Sequence, residues 1–354
     1  MPAAEQVRDI PTVQPADPSA VIRRLQTDNA LLSVQLNAVT DELQHAKEMA
    51  SYNKLFHYLD ISNNPDLVRH YTGLNADVFD ILISVLNSQP KKYFLGWQVE
   101  CLSVEDQLLI TLMKLKCNLT HVDLAVRFGV SKETVRNITT TYICFLHEYL
   151  FDGVMGKCGI PSQLKNQACL PQSFSTFSNC RIILDCIEVQ VVVPRSSMAQ
   201  QKQTFSHYKQ RNTLKALIGV APNGCITYVS PLYPGSASDK EIVKQSEILQ
   251  HLVPGDMVLA DKGFVIGDLM PPGVSVNVPP FLVRSQFTKE EVMLTTRIAR
   301  ARIHVERAIE RVKNFKILAH IPAHYRPLAR KIFQLCAVLV NMQTPIIEEI
   351  RELL

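Results

Sequence analysis

Long apolar runs are missing from this 354-residue chain: the longest, such as Val189 to Pro194 and Cys336 to Val340, fall far short of the roughly 20 residues that span a bilayer. No transmembrane helix is expected. The N-terminal stretch Met1-Pro2-Ala3-Ala4-Glu5 lacks a basic region followed by an apolar core, so it does not read as a secretory signal. Cys-x-x-Cys spacing is absent too. Nine cysteines, an odd number, are scattered through settings such as Leu335-Cys336-Ala337, which excludes a regular disulfide frame or zinc knuckle and favours small buried hydrophobes in a reducing compartment. Tryptophan occurs once, at Trp97, and is expected to anchor the core. Charge is nearly balanced at +4, so electrostatics over the whole chain argue little. The distribution says more: between Arg284 and Lys331 there are 12 Lys or Arg against 4 Asp or Glu.

What is present is the composition of a globular protein, 47% hydrophobic and 20% charged, long enough for two or three units. Residues 1–18, with prolines at 2, 11, 15 and 18, read as a flexible leader. Over 19–50 the residues Ile22, Leu25, Asn29, Leu32, Leu36, Val39, Leu43 and Ala46 alternate by three and four, which are the a and d positions of a short coiled coil. Asn29 falls at an a position, where one polar residue fixes register, so a homodimer or higher oligomer is expected; the alternative is an amphipathic helix packed on its own domain. Residues 51–100 read as a connector of short helices.

Residues 101–150 are helical throughout. Ala125, Gly129 and Val135 occupy the small, turn and apolar positions of a helix-turn-helix, and Ser131 caps its second helix. Lys132, Glu133, Thr134, Arg136 and Asn137 are then expected to be free for phosphates or base edges of double-stranded DNA. Residues 151–180 read as a linker. From 181 to 345 strand signals take over. The run Arg181-Ile182-Ile183-Leu184 stops at Asp185, Met257-Val258-Leu259-Ala260 stops at Asp261, and Asn223-Gly224 is a strong hairpin signal. A helix is expected from Ser238, with Asp239 in its first turn, and a long basic helix from about Lys289 to Phe315 carries Glu306. Two acids at strand ends and one on a helix suit a divalent-metal site for phosphoryl transfer, since hard cations take oxygen ligands held on rigid elements. Lys202, His207, Lys209, Arg211 and Lys215 read as a basic loop.

With these motifs the segment resembles the DDE superfamily of endonucleases, closest to PIF/Harbinger-type transposases. The resemblance rests on Leu184-Asp185-Cys186-Ile187-Glu188, Gly235-Ser236-Ala237-Ser238-Asp239, Ala260-Asp261-Lys262-Gly263-Phe264 and His304-Val305-Glu306-Arg307, and covers roughly residues 103–345. Arg302, Glu306 and Lys313 also reproduce an Arg-x3-Glu-x6-Lys signature, although Ala299 stands where that signature has tyrosine. It implies an α/β, ribonuclease-H-like catalytic domain behind an all-α helix-turn-helix region. It further implies that Asp185, Asp261 and Glu306 hold two Mg²⁺ or Mn²⁺ ions, with Asp239 auxiliary, Glu188 structural, and Arg302, Arg307 and Lys313 gripping DNA. His304 is expected to pack. Relatives of this kind act in the nucleus. Some rely on a Myb-like DNA-binding partner and others carry a zinc-binding module; residues 1–50 hold no Cys/His cluster. Many have been retained as DNA-binding regulators in which cutting is dispensable.

Overall fold

The computed structural model describes residues 18–52, 55–193, 197–279, 286 and 288–347, and within its first helix the side chains as far as residue 45. Two compact units result, Met1–Leu55 and Phe56–Leu354. The leader expected over 1–18 lies outside the described residues except for Pro18. The first unit holds helix α1 (Pro18–Tyr52), about 50 Å long at 1.5 Å per residue. Its a/d seam is bare: Leu25 is 61% exposed and Leu36 68%, so no described residue of this unit buries it.

The second unit begins with α2 (Pro65–Thr72) and α3 (Ala76–Ser88), followed by α4 (Val104–Cys117), α5 (His121–Phe128) and α6 (Lys132–Leu146). Their ends follow local chemistry. Ser103, Thr120 and Ser131 each accept a backbone N–H from the third residue onward, satisfying donors that a helix leaves open. Gly129 ends α5 at φ +65°, a left-handed conformation that lets the chain turn at once into α6. Leu124, Ala125 and Phe128 of α5 are buried with Val135 and Ile138 of α6. The helix-turn-helix geometry read from the sequence is therefore present.

Residues 151–180 are not a free linker. A π-helical stretch (His147–Met155), α7 (Gly156–Cys158) and α8 (Gln163–Ala168) fill much of the segment. Phe174 and Phe177 are buried in the main core, and Asn166 donates to the carbonyls of Cys180 and Arg181. The apolar residues inside this Gly- and Pro-rich stretch hold it against the sheet.

That sheet contains β1 (Cys180–Gln190), β2 (Phe205–Ser206), β3 (Arg211–Val220), β4 (Ile226–Val229), β5 (Tyr233–Pro234), β6 (Met257–Ala260) and β7 (Ser275–Asn277). Helix α9 (Met198–Thr204) precedes β2, and α10 (Asp239–Gln245) lies between β5 and β6. The order is β2-β3-β1-β6-β7, with β4 and β5 also paired to β3. β1, β3 and β4 are antiparallel neighbours, whereas β6 runs parallel to β1 and β7 parallel to β6. The β3–β4 hairpin turns at Gly224, φ +87°, as Asn-Gly predicts.

Alternation along β1 splits the core. Ile182 and Leu184 pack with Ile242 and Val243 of α10 on one face. Ile183, Ile187 and Val189 face Ile298, Val305 and Val312 of α11 (Lys289–Lys313) and Phe333 of α12 (Ala329–Asn341) on the other. A strand buried on both faces reads as a continuous apolar run, and each such side chain contributes roughly 1.5–3 kcal/mol on burial. The larger core runs without a break from α2–α6 into β1, β3, α11 and α12, so the helical connector, the helix-turn-helix and the sheet share one interior.

Three expectations need correction. Trp97 is 42% exposed and is not a core anchor. Only Cys180 and Cys336 are buried, while Cys101, Cys158 and Cys225 are exposed; all nine thiols are free. Lys202 lies within α9 and Arg211 and Lys215 within β3, so of the expected basic loop only His207 and Lys209 sit in a turn, between β2 and β3. Among the described residues no helix is long and apolar enough to cross a membrane.

Candidate active site

Parallel pairing of β1 with β6 aligns Leu184 with Ala260, which sets Asp185 beside Asp261, the residue that follows β6. The expectation that the first strand stops at Asp185 is corrected, since β1 runs on to Gln190 and pairs Asp185 with Ile218 of β3. Adjacent strands lie about 4.8 Å apart, so two carboxylates here repel unless a cation intervenes. Asp185 is partly buried and accepts the Cys186 N–H at 2.8 Å. Burial raises its pKa to about 6, with the charges of Asp261 and Asp239 adding to the rise; the Cys186 N–H and Arg302 oppose it. Asp261 is about half exposed and accepts from Arg302 Nη1 at 2.9 Å.

Arg302 is a correction to the expectation that it grips DNA. Its side chain is only 10% exposed and reaches from α11 to Asp261, with Nη2 3.8 Å from Glu306. Glu306 itself is 59% exposed, one turn along the same helix. The guanidinium thus sits between the second and third acids and supplies positive charge where the carboxylates converge.

A second group stands beside the first. Asp239, the first residue of α10, lies 3.2 Å from Lys215 Nζ, which is also 3.7 Å from Glu188. Thr213 donates to Glu188 at 2.9 Å, fixing that carboxylate as a structural partner, in line with the sequence reading. The Cys186 thiol is pushed well up by burial and by Asp239. Lys215 was read only as part of a basic loop, and its pairing with Glu188 and Asp239 was missed. It stands directly opposite Glu188 in the β1–β3 register, so a cross-strand charge pair was the available signal, but it is visible only once the register is known.

The donors fit a hard cation in chemistry: the acids offer only oxygen, and Asp261 and Asp239 bring further negative charge to partly buried Asp185. Among the described residues, however, no three His, Cys, Asp or Glu side chains lie close enough to form a metal-holding group. Asp185 and Asp261 are brought together; Glu306 is held on Arg302, and Asp239 on Lys215.

The residues expected to meet DNA divide. Lys132 and Arg136 are exposed on α6, Arg136 lying 3.7 Å from Glu133, and Arg307 and Lys313 are exposed on α11. Thr134 and Asn137 are withdrawn, contrary to expectation. The Thr134 hydroxyl bonds that of Ser131 at 2.9 Å, and fully buried Asn137 donates to the Trp97 carbonyl and accepts the Leu95 N–H. His304 packs as expected, stacked on Phe174 with Nε2 3.1 Å from the Ser173 hydroxyl.

A sheet with neighbouring acids on adjacent parallel strands, preceded by a helix-turn-helix, suits a nuclease-like architecture, and family comparison agrees. Residues 184–341 match the family described as DDE superfamily endonuclease, and residues 100–151 match the helix-turn-helix of DDE superfamily endonuclease. No curated protein and no solved structure matches the chain significantly.

Proposed function

We propose that this chain is a transposase-derived endonuclease of the PIF/Harbinger type that cleaves DNA phosphodiester bonds with two divalent cations, Mg²⁺ or Mn²⁺ in its place. The observation that carries the reading is that Asp185, within β1, and Asp261, just past the end of β6, directly follow the aligned residues Leu184 and Ala260, beside a helix bearing Glu306. The strand order and senses, three antiparallel strands with two parallel ones joined to the first, support a ribonuclease-H-like domain. The chemistry that divalent cations supply at such a site is activation of the attacking oxygen and stabilisation of the departing one.

The protein's own side chains do the rest. Asp185 and Asp261 offer oxygen ligands from two adjacent strands, and Glu306, held on Arg302, and Asp239, held on Lys215, would have to swing in to join them. Arg302 neutralises Asp261 and Glu306 until a cation competes for them. Lys132 and Arg136 on α6, with Arg307 and Lys313 on α11, offer charge to the phosphates of double-stranded DNA. The bare a/d seam of α1 supports a homodimer or higher oligomer through residues 19–50. Action in the nucleus, alongside a Myb-like DNA-binding partner, follows from the family resemblance.

A second reading is a domesticated DNA-binding regulator in which cutting is dispensable. It is favoured by one observation, that Arg302 already occupies Asp261 and Glu306. Incubating the protein with duplex DNA carrying candidate terminal inverted repeats, with Mg²⁺ or a chelator, separates the two. Mg²⁺-dependent cutting that disappears in Asp261→Ala supports the nuclease. Salt-sensitive binding by both proteins without cutting by either supports the regulator, and equal cutting by both overturns the metal site.

A further inference from the structure

A second polar cluster lies far along the chain from Asp185 and Asp261 and joins the helix-turn-helix to the segment Ala323–Leu328 that follows the catalytic helix. Tyr325, buried to 1% exposure, places its hydroxyl 2.7 Å from Thr139 of α6 and 2.9 Å from Nε2 of His121, the first residue of α5. Thr139 in turn donates to the Val135 carbonyl, so it accepts from Tyr325, and Tyr325 accepts from His121. That chain of donors places the proton of neutral His121 on Nε2 and leaves Nδ1 as the nitrogen that protonation would turn into a donor. His324 packs against the same ring, with centroids 5.0 Å apart, and against Tyr325 at 4.4 Å.

Positive groups crowd here. Lys114 of α4 is buried, with Nζ bonded to the Asn118 side chain and the Leu119 carbonyl and 5.7 Å from the Tyr325 ring centre. Burial lowers His121 to about 4, helped by Lys114, His324 and Arg136; His324 is lowered by burial and then by Lys114 and Arg136. The carboxylates of the two helices are engaged elsewhere, Asp123 by Arg127 at 2.8 Å and Glu133 by Arg136 at 3.7 Å. Arg136 shares its charge with exposed Glu133, whereas no ion pair to an acid is seen for His121, His324 or Lys114 among the described residues, and an anion would complement them.

We propose that His121, His324 and Arg136 together receive one backbone phosphate of duplex DNA, beside the exposed face of α6. The inference rests on the reading that this helix-turn-helix binds DNA. A phosphodiester arriving here would favour the protonated rings, so binding takes up protons and tightens as pH falls toward 6. The contact also ties DNA engagement to Tyr325, and through it to the chain that leaves α11.

The test is fluorescence anisotropy of the full-length protein with a labelled 20-base-pair duplex, over a salt series at pH 6.0 and 7.5. Wild type is expected to bind several-fold tighter at pH 6.0. His324→Ala, at an exposed position, should keep the wild-type melting temperature, reduce the slope of log K against log salt at pH 6.0 by about 0.9, the share of one phosphate, and flatten the pH response. His324→Arg should restore the slope while leaving the response flat. A His324→Ala protein with wild-type slope and pH dependence overturns the site but leaves DNA binding standing. Absence of duplex binding by wild type at both pH values overturns the site and the DNA-binding reading together. Inorganic phosphate added at constant ionic strength separates the sources of the anion: displacement of DNA by millimolar phosphate means a free-anion pocket and overturns the proposal, and indifference supports a backbone contact.

Discussion

Asp185→Asn should make the cation-free protein more stable. Burial holds the Asp185 carboxyl at about 6 against an ordinary value of 3.8, so a little over two units separate the folded from the unfolded chain. At about 1.4 kcal/mol per unit this corresponds to about 3 kcal/mol. The sign follows from the direction of the shift. Below about pH 4 the group is protonated in both states and contributes nothing. Between 4 and 6 the unfolded chain ionises while the folded one resists, and stability falls; above 6 the full loss of about 3 kcal/mol persists. Asparagine is nearly isosteric and can still accept the Cys186 N–H, so it removes the charge without opening a cavity. Urea unfolding in a chelating buffer should therefore find the variant more stable than wild type by up to about 3 kcal/mol at pH 8 and by close to nothing at pH 4. Mg²⁺ should narrow the pH 8 gap by stabilising the wild type. A variant no more stable at pH 8, or more stable by the same amount at both pH values, refutes the claim that Asp185 is a strained carboxylate.

Three further substitutions probe the frame around the site. Asn137→Ala strands the Leu95 N–H and the Trp97 carbonyl, both near the surface, and should cost about 2 kcal/mol in thermal or urea melts; an unchanged melt would return Asn137 to the DNA-facing set. Arg181→Met leaves the fully buried Asp256 without its cationic partner, and is expected to lower stability by about 3–5 kcal/mol. Adding Asp256→Leu should recover much of that loss, and failure to recover would show that Asp256 serves its Val253 and Gln163 hydrogen bonds above all. Gly235→Ala would push a methyl to 2.7 Å from the Thr204 carbonyl just ahead of α10. It should cost about 1–3 kcal/mol and reduce cleavage further than stability alone explains, because the turn carries Asp239; full activity would remove Asp239 from the site.

What the sequence made legible follows from local rules. The apolar run that Asp261 halts is readable because a strand buried on both faces must change character where it emerges; at Asp185 the same rule misleads, since β1 continues to Gln190 with Ile187 and Val189 buried. Gly129 and Ser131 are readable because a tight turn and a cap are local. Asn-Gly at 223–224 belongs to the same class. The errors concern what lies across space. Asn137 stands in the register of a DNA-facing residue, but the loop around Leu95 to Trp97 folds over that part of α6 and takes its amide. Arg302 reads as a DNA-gripping residue of a basic helix, yet its turn faces β6 and it pairs with Asp261. Lys215 looked like one more surface cation because its partner Glu188 is 27 positions earlier in the chain. Strand β7 spans only Ser275–Asn277 between two proline pairs, too short for any periodicity to register.

The central claim is that Asp185 and Asp261, on two adjacent strands, share a divalent cation. Mn²⁺ uptake followed by electron paramagnetic resonance at pH 8 tests it most directly. Wild type should bind Mn²⁺, with Mg²⁺ competing, whereas Asp185→Asn and Asp261→Asn should each weaken uptake at least tenfold while remaining folded. Mn²⁺ binding of equal strength in all three proteins would contradict the account.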